Sequence, residues 1–148
     1  MRKWLPILAL LAGIGSSFSY GQGGIVDCVE PKKIAVSRIQ GQVFDTSGAV
    51  VPGATVSVTL DGKVKTLATA GANGEFRFKF DSGHYVLRVS SQGFQATEAE
   101  LEVGGDVFSL LRRTVLRVIL AVPGNNCPWV AVSNREFKEI IHNYATQK

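Results

Sequence analysis

The side chains in this chain that could do chemistry are few and far apart. His84 and His142 are its 2 histidines. Nucleophilic catalysis needs such a base within hydrogen-bond reach of a hydroxyl or thiol, and no spacing here brings either histidine to one. His84 opens a strand-like segment and His142 falls in a helical one, so both read as surface residues. The sequence has no His-Glu-x-x-His zinc helix, no phosphate-cradling glycine loop and no Gly-x-Ser-x-Gly elbow. No catalytic residue, metal site or cofactor is expected. Asp45, Asp61, Asn73, Asp81 and Asp106 carry oxygens that calcium could use, but they are spread over separate turn-like segments and read as turn formers. A Lys–Asn isopeptide would need an Asn on the last strand, and none is there. Arg112 and Arg113 read as solvated charges near a sheet end.

Cys28 and Cys127 are the 2 cysteines, 99 positions apart. A disulfide between them would close most of the chain and stabilise it by several kcal/mol, about 5 in the chain-entropy estimate. Two unpaired thiols, or metal ligation, are the alternatives, the latter weak without a Cys-x-x-Cys pair. Trp129, next to Cys127 and Pro128, is the one residue that resembles a ligand platform, since aromatic rings stack on sugar faces. A tryptophan beside a disulfide more often serves as packing.

Whether a disulfide forms depends on the compartment. Arg2 and Lys3 precede the apolar run Leu5 to Ile14, and small or mixed residues follow from Gly15 to Gly21. That order is the signature of a secretory signal peptide. Ser19 and Gly21 permit cleavage before Gln22, and Ser17 and Ser19 permit it before Tyr20. A retained membrane anchor is the alternative, but a run this short covers roughly half of a ~30 Å hydrocarbon core. Residues 1–21 are therefore expected to direct export to the periplasm, envelope or exterior. With Arg2 and Lys3 in the leader, 14 basic residues face 12 acidic ones in the remainder. So small an excess, without a basic stripe carrying aromatics, argues against a nucleic-acid partner. No later stretch is long and apolar enough to span a membrane as a helix.

The elements that must position these residues alternate with period two from Ile39 to Val122, as half-buried strands do. Seven strands are expected: Arg38–Asp45, Ala54–Leu60, Lys63–Thr69, Glu75–Phe80, His84–Ser90, Phe94–Val103 and Val115–Val122. Turn signals separate them: Asp45-Thr46-Ser47-Gly48, Pro52-Gly53, Asp61-Gly62, Asn73-Gly74, Asp81-Ser82-Gly83, Gln92-Gly93 and Gly104-Gly105-Asp106. Phe76, Phe78 and Phe80 share one face, as do Tyr85, Leu87 and Val89. Glu98, Glu100 and Glu102 form a row that suits a solvated edge strand. Such spacing predicts an all-β sandwich or barrel.

A helix is expected to close the chain. Ser133 and Glu136 have capping-box spacing, and Phe137, Ile140, Ile141 and Tyr144 fall at i, i+3, i+4, i+7. That stripe can pack on its own sandwich or dock a partner.

Three runs, GQVFDTSGAVVPGATVSV (residues 41–58), GANGEFRF (71–78) and SGHYVLRVSSQGF (82–94), resemble the carboxypeptidase regulatory-like domain. The likeness covers about Ile39 to Val122. It implies a seven-stranded prealbumin-like, or transthyretin-like, Greek-key β-sandwich, in which Val56, Phe76, Tyr85, Leu87 and Phe94 fill the core. The family's modules fold, bind or space and do not catalyse. The similar transthyretin-like hydrolases of ureide metabolism rely on paired histidines, an arginine and a Tyr-Arg-Gly-Ser terminus. This chain ends Tyr-Ala-Thr-Gln-Lys, so that activity is not carried over.

The expected organisation is a leader (1–21), an N-terminal extension (22–37), the sandwich (38–122) and a C-terminal segment with the helix (123–148). The function expected is an exported, non-catalytic module that contacts a protein or supports the envelope. Carbohydrate binding is the alternative. The partner, protein or glycan, is unknown.

Overall fold

The computed structural model describes residues 32–104, 113–124 and 127–147. Two sheets pack face to face. The first has the order β1 (Lys32–Val36), β7 (Thr97–Val103), β6 (Gly83–Ser90), β3 (Thr55–Leu60) and β4 (Lys63–Thr69). The second has the order β5 (Glu75–Phe78), β2 (Ile39–Asp45), β8 (Leu116–Leu120) and β9 (Trp129–Ala131). One helix, α1 (Asn134–Thr146), follows β9. This is the expected prealbumin-like sandwich, with nine strands among the described residues in place of seven.

Alternation decides what lies between the sheets. Val56, Val58, Leu87, Val89, Ala99 and Leu101 of the first sheet face Ile39, Val43, Leu116 and Val118 of the second, all buried. Each such aliphatic side chain contributes about 1.5–3 kcal/mol on leaving water. Tyr85 and Phe76 join them, and Phe78, Phe80 and Phe94 are packed against the cluster, partly buried. Gly41 lies between two of these layers. A Cβ there would meet the Leu116 carbonyl oxygen and the Phe76 ring at 2.5 Å each, so only glycine lets β2, β5 and β8 close up. At the β3–β4 hairpin, Asp61 and Gly62 both take positive φ (50° and 75°), the geometry of a tight two-residue turn.

The two strands absent from the sequence expectation lie outside its boundaries. β1 falls in the residues taken for an extension, and it pairs in parallel with β7 from Lys32↔Ala99 to Val36↔Val103. A parallel partner far along the chain leaves no turn signal beside the strand. β9 has three residues and pairs with β8 from Arg117↔Ala131 to Ile119↔Trp129.

β1 also corrects the placing of the glutamates. β7 is an interior strand between β1 and β6 and not an edge. Its charges are met laterally: Arg88 donates to Glu98 at 2.6 Å and Lys33 lies 3.6 Å from Glu100. The strand expected from Phe94 begins at Thr97, after a turn closed by Phe94 N–H donating to Ser91 O (3.1 Å). At the other end, Val122 leaves the expected core face and is 47% exposed.

Candidate functional site

The outer faces of the two sheets differ, and the difference begins in the last strand and the helix. On the four-stranded sheet, Phe44, Ile119 and Ala131 point away from the core and are nevertheless buried. Helix α1 lies over them, with Phe137 against Phe44 at a ring separation of 4.6 Å. The Arg117 guanidinium stacks on both rings, 5.8 Å from Phe44 and 5.4 Å from Phe137. Ile141 approaches Gly48, and the Tyr144 hydroxyl donates to the Cys127 carbonyl. Burial pushes the Tyr144 hydroxyl's pKa up. Of the stripe read as a docking face, Phe137, Ile141 and Tyr144 therefore meet the chain's own sandwich, and Ile140 is half-buried beside them.

A cluster of polar contacts sets the helix in place. Ser133 is its N-cap, accepting from Glu136 N–H at 3.1 Å. The Glu136 carboxylate does not return to the cap residue as a capping box would require. Its Oε2 accepts from Val132 N–H at 2.8 Å. Its Oε1 accepts from Trp129 Nε1 at 3.2 Å and from Lys32 Nζ. Burial alone would raise the Glu136 pKa, but the hydrogen bonds from Lys32, Val132 and Trp129, with the ammonium charge, outweigh it and hold the carboxyl below its ordinary range. Lys32 belongs to the inward-facing row of the first sheet, opposite Ala99. Its ammonium also lies 5.7 Å from the Trp129 ring centroid. Trp129, the candidate ligand platform, thus has its N–H committed and a cation over its ring, and is half-buried.

No helix covers the outer face of the five-stranded sheet among the described residues. Two residue rows cross it. One runs Lys33, Glu100, Val86, Thr59, Val64, and the next runs Glu98, Arg88, Ser57, Leu67. Charges crowd the β1–β7–β6 side, where Lys33, His84, Glu100 and Glu102 line an open concavity of about 530 Å³. Apolar and hydroxyl side chains take the β3–β4 side. Val64 and Leu67 are 63% and 68% exposed, and Val86 between the halves is 38% exposed. Sequence reasoning passed over these three. The signal was there in Lys63-Val64-Lys65 and Leu67, apolar residues interrupting a strand that is otherwise polar.

The remaining candidate residues are not assembled into a site. His84 is exposed on β6 and His142 is exposed on α1. Asp45 Oδ1 is committed to its own turn, accepting from Ser47 N (2.8 Å), Ser47 Oγ (2.6 Å) and Ala49 N (3.0 Å). Asp61 shapes the β3–β4 hairpin and Asp81 offers its carbonyl to Tyr85 Oη at 2.9 Å. Asn73 offers its carbonyl to Gln42 Nε2 at 2.8 Å. Among the described residues no group of three or more His, Cys, Asp or Glu is placed to hold a metal ion. Arg113 is exposed beside β8. Cys28, Asp106, Arg112 and residues 1–21 lie outside the described residues.

The family model of the carboxypeptidase regulatory-like domain matches residues 38–112. No curated protein sequence matches the chain. Among solved structures, the chain is similar to 5-hydroxyisourate hydrolase from Klebsiella pneumoniae at 16% identity, over 66% of this chain and 100% of that one, with a TM-score of 0.50. It is also similar to 3-chlorocatechol 1,2-dioxygenase from Rhodococcus opacus 1CP at 12% identity, over 70% and 69% of the two chains, with a TM-score of 0.38. At such identity the hydrolase likeness speaks for the sandwich alone. β1, β8, β9 and α1 all lie outside the matched residues.

Proposed function

The chain belongs to the carboxypeptidase regulatory-like domain family, and from that premise we propose that it is an exported, non-catalytic β-sandwich that makes protein contacts or supports the cell envelope. One observation carries this reading: the four-stranded sheet is closed by its own helix, while the five-stranded sheet leaves Val64, Leu67 and Val86 exposed on a face that no described element covers. Large apolar side chains grouped on a flat face mark contact surfaces. The charged rim beside them, Lys33–Glu100 and Arg88–Glu98, has the polar character of an interface margin.

Catalysis receives no support from the described side chains. Glu136 and Asp45 are used in structure, and the two histidines stand on separate elements. Carbohydrate binding, the alternative, would draw on exposed aromatic rings. Phe76, Phe78, Phe80 and Tyr85 instead stack on one another along the core, with neighbouring centroids 5.0–6.2 Å apart. Trp129 is held by Glu136 and Lys32. Export rests on the leader, Met1 to Gly21, and on cleavage before Gln22. A disulfide between Cys28 and Cys127 belongs to the same reading.

Two measurements test it. The mass of the protein recovered from cells reports whether the chain begins at Gln22 outside the cytoplasm. Covalent footprinting of envelope fractions and of purified protein then compares Val64 and Leu67 with the exposed control Val122. Protection of the first two, in the envelope only or at high concentration, supports a contact role. Equal labelling in every preparation contradicts it.

A further inference from the structure

We infer that the bare face of the five-stranded sheet docks a second copy of this chain, face to face, about a two-fold axis running along β3. This names the partner for the proposed contact role and rests on that reading.

The order of residues across the face is what points to a second copy. A two-fold axis parallel to the strands keeps each residue row at its own level and reverses the strand order. With the axis on β3, β6 of one copy lies over β4 of the other, and the reverse holds at the opposite flank. In the first row this sets Val86 against the partner copy's Val64, with the two copies of Thr59 meeting at the axis. In the second row the stem of Arg88 covers the partner copy's Leu67, with Ser57 at the axis. Each large apolar residue exposed on this face thereby gains an apolar contact, and every contact off the axis occurs twice, as an isologous interface requires.

Charge agrees with the same axis. β7 lies one strand beyond β6 and so falls just outside the partner copy's β4 edge. Glu98 and Glu100 there come beside that edge, where Lys65 stands at the register shift, whereas Lys63, opposite Leu60, belongs to the core-side row. Placing the axis across the strands would instead stack β7 on β7 and oppose the glutamate rows, which like-charge repulsion disfavours. Aligned sheets pack about 10 Å apart with strands within about 30° of each other, a separation that valine and leucine side chains bridge.

Edge-to-edge addition at β4 is the competing way to use the same strand. The ladder of β4 with β3 shifts register between Val58 and Thr59, leaving Lys65 as the extra residue on β4 with Lys63 two positions before it. A bulge with lysines is the usual means of blunting an exposed edge. The face, not the edge, is left available.

The contact spans about three strands at about 4.8 Å spacing and six residues at about 3.3 Å, which places it among small, reversible interfaces. Sedimentation velocity of the oxidised mature chain, from about 1 µM to about 1 mM, covers the affinity range expected of such an interface. A monomer–dimer equilibrium is expected, weakened at least about tenfold by Leu67→Glu or Val64→Glu and unchanged by Val122→Glu, whose site is also exposed but lies off the face. Circular dichroism verifies that each variant is folded. Wild-type protein that stays monomeric throughout, or a dimer indifferent to Leu67→Glu, overturns the proposal. If the monomer nevertheless shows Leu67 protected in envelope fractions, the contact role survives with a different partner; if Leu67 is unprotected as well, both readings fall.

Discussion

The carboxylate of Glu136 holds the ammonium of Lys32 across 104 positions of sequence. Lys32 begins the first described strand and Glu136 lies in the first turn of the last helix. Neither belongs to the family-matched span, so the additions on its two sides are tied to each other as well as to the sandwich. Trp129 Nε1 and Val132 N–H converge on the same carboxylate, which leaves three donors dependent on one group.

Glu136→Gln keeps the size of the side chain and removes its charge. It is expected to lower stability at neutral pH by about 1–3 kcal/mol, the usual consequence of disturbing hydrogen bonds to a charged, partly buried group. Because the folded-state pKa is depressed, the contribution is present above the ordinary carboxyl range and is lost as pH falls through the lower folded value. Urea unfolding of wild type and variant at pH 7 and near pH 3 should therefore show curves well separated at the first and converging at the second. Separation that persists unchanged in acid would mean the charge is not what stabilises.

Gly41→Ala should be among the most damaging single-methyl changes in the chain. The added carbon would meet the Leu116 carbonyl oxygen, which is backbone and cannot rotate aside. A loss of about 2 kcal/mol or more is expected from overpacking between β2, β5 and β8. Gly53→Ala has open space around its position and only its positive φ of 70° to contend with, so it should cost less, about 1 kcal/mol. Comparing the two denaturation midpoints checks the ranking.

Cys28 stands four positions before Lys32, and Cys127 two before Trp129. The Lys32–Glu136–Trp129 contacts bring Lys32 and Trp129 themselves together. Four residues of chain reach at most about 14 Å from Lys32, and a bridge from Cys28 to Cys127 is the expectation. Alkylation of oxidised, denatured protein followed by intact mass should show no thiol modified, and reduction should expose two. Modification before reduction would contradict the bridge.

The purified protein is expected not to hydrolyse 5-hydroxyisourate, the substrate named for the fold relative from Klebsiella pneumoniae. His84 and His142 stand on separate elements, β6 and α1, and among the described residues no group of three or more His, Cys, Asp or Glu is placed to hold a metal ion. Ultraviolet absorbance of the substrate should decay at the buffer rate with or without protein. Acceleration abolished by His84→Ala would show catalysis after all.

Much of the fold was legible because strand alternation and turn chemistry are local. Lys63–Thr69 appears with the bounds its alternation indicated, between Asp61-Gly62 and the turn at Gly71 to Gly74. Ser133 caps α1 as its type and position suggested. What escaped was non-local. β1 depends on a parallel partner more than sixty residues away, and without it β7 looks like an edge. Glu136 carried a local explanation, the capping box, which hid its bond to Lys32. The bare face was hidden for another reason: alternation shows that Val64 and Leu67 lie on a strand, but not whether another element covers them.

The central claim, contact through the uncovered face, is tested most directly by a photo-crosslinking residue placed at position 67 and, as control, at position 122. The folded variants are irradiated in intact cells, where the chain meets its own surroundings. The account predicts a discrete adduct from position 67 and none from position 122, with a mass twice that of the mature chain if the partner is a second copy. No adduct from position 67, or equal adducts from both positions, would contradict it.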